Sequence, residues 1–88
     1  METVCMMKGF AIAVVDRGFV YVGDIEHDGE WCHINNAKNI RVWGTKNGLG
    51  ELALNGPRPE TKLDPVGRVS IPRHALIHLI ETERSKWM

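Results

Sequence analysis

Two turn signals, Asp16-Arg17-Gly18 and His27-Asp28-Gly29, divide the first 35 residues into three β-prone runs, and no other feature constrains the fold as much. Glycine reaches positive φ without a Cβ penalty, and Asp-Gly is the strongest short hairpin signal in the chain. Lys8 to Asp16 is rich in β-branched and aromatic side chains, which pack well on a pleated surface. Phe19 to Glu26 puts Phe19, Tyr21, Gly23 and Ile25 on one face and Val20, Val22 and Asp24 on the other. Gly23 inside that run marks a bulge or bend of a curling sheet. Glu30 to Asn35 alternates Trp31, His33 and Asn35 against Cys32 and Ile34. The first 35 residues therefore predict an antiparallel three-stranded meander.

Asn36 to Trp43 reads as a fourth strand, entered through an Asn-Asn bend, with Ile40 and Val42 opposite Arg41 and Trp43. Gly44 to Gly48 is loop. Asn47 is placed to cap a helix from about Gly48 to Asn55, and Gly56 to end it. Leu49, Leu52 and Ala53 fall on one helical face and would pin it to the sheet. Pro57, Pro59 and Pro65 keep residues 57–65 as an extended surface loop, and Val66 to Ile71 reads as a strand. His74 to Ile80 fits either a helix with Pro72 at its first position or a buried strand. The strand is preferred, because Thr82-Glu83 makes a cleaner helix start for a short C-terminal helix over Glu83 to Met88. The expected fold is α+β. It is a mainly antiparallel sheet of about six strands, half-open and barrel-like, with one short helix after the fourth strand and another at the C-terminus. Residues 8–88 form a single domain behind a flexible tail, residues 1–7, which shows no periodicity.

Eighty-eight residues support one thin core, since a chain this short buries only about 60–65% of its unfolded surface. Small domains add disulfides, a metal or self-association. The two cysteines, Cys5 and Cys32, give no disulfide framework, which points to a reducing cytoplasm and leaves a homo-oligomer as the expected reinforcement. Charge is balanced at 11 basic and 11 acidic residues, whereas a generic DNA coater carries a basic excess. The longest apolar run, Phe10 to Val15, is too short to cross a bilayer, and no signal-peptide pattern is visible.

Asn36-Ala37-Lys38, Ile40, Trp43, Leu49, Leu52-Ala53 and Gly56 together resemble a family of small proteins of tailed bacteriophages and prophages. Its members share an N-A-(K/R)-x-I-x-x-W segment, an L-x-x-L-A-x-x-G helix and a proline before a valine-rich strand, matched here by Pro65 and Val69. The resemblance covers roughly the C-terminal two-thirds of the chain and, more loosely, the first hairpin. It implies a phage accessory protein in the cytoplasm of an infected bacterium, and it carries no catalytic residue.

The loop Gly44 to Gly50 precedes a helix, where free N–H groups and glycines admit a phosphate. Arg41 and Lys46 add charge, and Trp43 adds a surface for a flat ring. Asn36, Arg41, Trp43, Gly44, Lys46, Asn47 and Gly48 are thus the candidate ligand-binding residues. The loop has neither the Walker order nor a dinucleotide fingerprint, so the plainer reading is a tight strand-to-helix connection. Cys32 and His33 are adjacent and point to opposite faces of a strand, so no metal site or cofactor is expected from them. Cys32 sits among apolar neighbours, and Ser70 and Ser85 lie in no nucleophile elbow, so no catalytic residue is assigned. The expected function is a non-enzymatic binding protein that sequesters a small anionic, nucleotide-like host signal or inhibits a host defence factor. The alternatives are a β-barrel nucleic-acid binder and a ligand-free interaction module.

Overall fold

The computed structural model describes residues 9–87, so the expected tail lies outside the described residues. The two glycine turns form as the sequence dictates. Arg17 and Gly18 take φ of 64° and 84° in a 3-10 turn, and Gly29 takes 59° in the next. They join β1 (Gly9–Val15), β2 (Val20–Asp28) and β3 (Trp31–Val42). After β3 come helix α1 (Leu49–Asn55), β4 (Lys62–Pro72) and β5 (Leu76–Glu81). One antiparallel sheet results, in the order β4-β3-β2-β1-β5.

The sheet has five strands, not six, because the expected third and fourth strands are one. Asn36 does not turn the chain. It takes φ 53°, a conformation asparagine tolerates, and absorbs one extra residue as a bulge. The register shows it: Asp24 pairs with Asn35 and Val22 with Lys38. Gly23 lies opposite, so the bulge expected at Gly23 belongs to the facing strand, and it packs where a Gly23 side chain would be. A Cβ there would sit 2.7 Å from Ile34 Cγ2 and 2.9 Å from the Asn35 carbonyl oxygen.

Two further boundaries differ. The C-terminal helix is a single 3-10 turn, Arg84–Lys86, too short to form an α-helical ladder. β4 begins at Lys62, within the proline-rich stretch, because Pro65 sits on an edge strand where a missing N–H leaves no neighbour unsatisfied. The preferred strand reading of His74–Ile80 holds from Leu76 onward, after a 3-10 turn over Arg73–Ala75.

That turn dictates the curl. Pro72 ends one edge of the sheet and Leu76 begins the other, with only three residues between them. Such a link spans at most about 14 Å, whereas the edges of a flat five-stranded sheet lie about 19 Å apart. The sheet must roll until the two corners meet, and it remains open beyond them.

Each face then has its own core. Inside the roll, Ala11, Ala13, Val15, Ile25, Cys32, Ile34, Ala37 and Ile71 are buried. On the other face Ile12, Val20, Val22 and Ile40 are covered by Leu52 and Ala53 of α1 and by Trp87. Gly56 closes α1 at φ 80°, its N–H donating to the Leu52 carbonyl at 2.7 Å. Thr82 Oγ1 donates to the Ala53 carbonyl (2.6 Å) and accepts from Trp87 Nε1 (3.0 Å), tying helix, β5 and C-terminus together.

Candidate functional site

The strand-to-helix loop keeps its own donors occupied. The Glu51 carboxylate accepts the backbone N–H groups of Lys46 (3.2 Å) and Asn47 (3.0 Å), and it pairs with Arg58 at 3.3 Å. An internal anion therefore holds the position offered to a phosphate. Gly48, not Asn47, occupies the N-cap position, and no side chain caps the helix there. Thr45 Oγ1 donates to the Gly48 carbonyl (3.0 Å), which fixes the loop from within.

The candidate residues are also divided among separate places. Gly44, Lys46 and Asn47 line a shallow hollow with Glu51, Asn55 and Arg58. Arg41 is drawn to β4, where its Nε donates to Asp64 Oδ2 at 2.8 Å, and this contact holds it still more firmly protonated. Trp43 lends its carbonyl to Thr61 Oγ1 (2.6 Å) while its side chain stays 42% exposed, outside that hollow. Asn36 lies elsewhere, at the bulge of β3.

Asn36 marks a second cleft, of about 260 Å³, whose residues come from both ends of the described chain. Phe10 of β1, Val22 of β2 and Trp87 give it an apolar wall. The Phe10 and Trp87 rings lie 6.3 Å apart at 55°. Asp24, Asn36, Lys38 and Arg84 supply its polar groups. Arg84 bonds to Asp24 and lies over the Phe10 ring, 5.2 Å from its centroid. A cation held over an aromatic face gains from the ring quadrupole. Lys38 is half-buried and, among the described residues, no carboxylate reaches it. The bulge makes this arrangement, because the extra residue at Asn36 turns Lys38 to the same face as Val22.

A flat ring can lie against the Phe10–Trp87 wall, an anionic group can meet Lys38 and Arg84, and Asp24 can accept an amine hydrogen. Only Asn36 of the sequence candidates takes part. Phe10, Lys38, Arg84 and Trp87 were missed. Their one legible signal is Trp87 beside Arg84 and Lys86 in an otherwise polar terminal segment.

The remaining titratable cluster sits at the other end of β3. His27 lies opposite Cys32 across β2 and β3. Burial lowers the His27 pKa, with Arg73 contributing, and burial pushes the Cys32 thiol up. His33 turns away from Cys32, as strand alternation requires, and shares a hydrogen bond with Ser70 Oγ (2.8 Å). No group of three or more metal-ligating side chains gathers among the described residues. Among those residues no helix is long and apolar enough to cross a membrane.

No family model, curated protein or solved structure matches the chain.

Proposed function

We propose that the chain is a non-enzymatic binding protein for a small anionic ligand with a flat ring, the nucleotide class, held in the cleft between Phe10, Trp87 and Lys38. One observation carries the reading: two aromatic rings, two cations and a carboxylate border a single concavity. At about 260 Å³ it is near the lower limit of small-ligand pockets, which suits one base with its phosphate better than a long chain. The balanced charge of the chain favours a compact anion over a nucleic-acid backbone. Coupled with the resemblance to phage accessory proteins, the role is sequestration of a host signal in the infected cell.

Titration calorimetry of the full chain with linear and cyclic nucleotides tests this. Binding is expected, and Lys38→Ala should weaken it by about tenfold or more, the loss of one charge-assisted hydrogen bond. Trp43→Phe should leave affinity unchanged. No heat with any nucleotide at millimolar concentration sinks the reading, as does an affinity that survives both Lys38→Ala and Arg84→Ala.

A second reading, recognition of a host protein, is favoured by the 42% exposure of Trp43 outside the neighbouring hollow. It predicts that a defined host target binds the native chain and not Trp43→Ala.

A further inference from the structure

The polar groups of the cleft are not all spent within the protein. Asp24 gives its Oδ1 to Arg84, and among the described residues its Oδ2 accepts no hydrogen bond. The Asn36 carboxamide, on the same cleft, makes none among those residues either. Lys38 is half-buried and meets no carboxylate among them. A carboxylate only accepts, an ammonium only donates, and a carboxamide does both. A ligand that satisfies this set brings hydrogen-bond donors to Asp24 and an anionic group to Lys38.

The strand register orders these groups. Phe10 of β1 stands opposite Asp24 of β2, and Ile12 stands opposite Val22 two residues along. Val22 is in turn opposite Lys38 of β3. Asp24 pairs with Asn35, which brings the bulge residue Asn36 beside it. The carboxylate and the carboxamide therefore share the level of the Phe10 ring. The ammonium lies one step further on the same face, about 7 Å along the strand. A nucleotide with its base against the aromatic wall presents the base edge to Asp24 and Asn36 and its phosphate to Lys38.

We infer, building on the nucleotide reading of this cleft, that the base it takes is guanine and that Asp24 selects it. Guanine presents two adjacent donors, N1–H and the 2-amino group, next to an acceptor, O6. Two parallel donors suit a carboxylate, whose oxygens offer about four lone-pair sites, so the bond from Arg84 leaves room for both. The Asn36 amide N–H then serves O6. Adenine and cytosine carry a ring-nitrogen lone pair beside their amino group, and it would face the carboxylate. Uracil offers a single N–H between two carbonyls. Hypoxanthine matches guanine in all but the 2-amino group, so the cleft discriminates against it by one charge-assisted hydrogen bond. A site built to bond a ligand N–H rejects the analogue that lacks it, because its own polar group is left unpaired.

Titration calorimetry of the full chain with guanosine, inosine, adenosine and uridine monophosphates, which match in phosphate charge, tests it. Guanosine monophosphate should bind about tenfold or more tighter than inosine monophosphate. Asp24→Asn should abolish that ratio, since an amide keeps only one acceptor. Lys38→Ala should weaken both nucleotides alike and preserve the ratio. The comparison on the native chain needs no variant, so it decides the matter even where Asp24→Asn fails to fold. Equal affinities for guanosine and inosine monophosphates overturn the inference and leave the broader nucleotide reading standing. A preference that survives Asp24→Asn, or tighter binding of adenosine monophosphate, does the same. No heat with any of the four overturns it too, whereas the broader reading falls only when every other nucleotide fails as well.

Discussion

Replacing Gly23 by alanine tests whether the bulge of β3 is a rigid part of the fold. The φ of Gly23 is not in the left-handed region, so the cost is steric alone. The added methyl would lie 2.7 Å from Ile34 Cγ2, 2.9 Å from the Asn35 oxygen and 3.2 Å from Ala37 Cα. Ile34 is fully buried, and the other two contacts are backbone. Inserting a methyl into a packed site costs about 1–3 kcal/mol. A domain of this size has a total stability of about 4–13 kcal/mol. A loss of about 2 kcal/mol should lower the melting temperature by roughly 8–16 °C. Urea unfolding followed by circular dichroism should show an earlier midpoint with an unchanged slope. The matched control is Gly50→Ala on α1, where nothing lies within 4 Å of the new methyl. It should stabilise by about 0.4–1 kcal/mol. A loss below about 0.5 kcal/mol for Gly23→Ala would mean that the bulge yields, and the reasoning from close approach would be refuted.

Trp87 is 6% exposed and covers the second core, so Trp87→Ala should cost about 3–5 kcal/mol in chemical denaturation. Gly56→Ala should destabilise more than Gly23→Ala in the same assay, because its Cβ would meet the Lys86 carbonyl oxygen and its φ is 80°. Removing the exposed Arg41–Asp64 pair by Arg41→Ala should leave the urea midpoint close to that of the native chain, because solvent screens the pair. The lowered pKa of His27 means that the unfolded chain binds its proton more readily. Stability from this group is complete above the ordinary value of 6.5 and is lost as pH falls through the lower folded value. Melting temperatures below pH 6.5 should therefore decline less steeply in His27→Phe than in the native chain.

Much of the fold was legible because local chemistry and topology agree. Gly18 and Gly29 make their turns, Leu52 and Ala53 face the sheet, and Leu76–Glu81 is a strand. The fusion of two expected strands was not legible, since an Asn-Asn pair suits a bend and a bulge equally. The choice fell to the partner strand, where Gly23 leaves room. The candidate site was less legible. Asn36 does line the cleft, but Arg41 is claimed by Asp64 and the Lys46 and Asn47 amides by Glu51. Those partners follow from strand order and helix geometry. The residues of the cleft lie far apart in sequence: Arg84 and Asp24, which bond there, are separated by 60 positions. Periodicity carries no information about such a meeting.

The position of β1 has a kinetic consequence. One side of it is filled by β2 across a short turn, but the other must wait for β5, from the far end of the described chain. Closing so long a loop is slow compared with forming a hairpin. Until it happens, Ala11 to Val15 present an unguarded apolar edge to the solvent. The pairing of β5 with β1 is therefore the step expected to limit the folding rate, and mutations that weaken that pair should slow refolding in stopped-flow measurements.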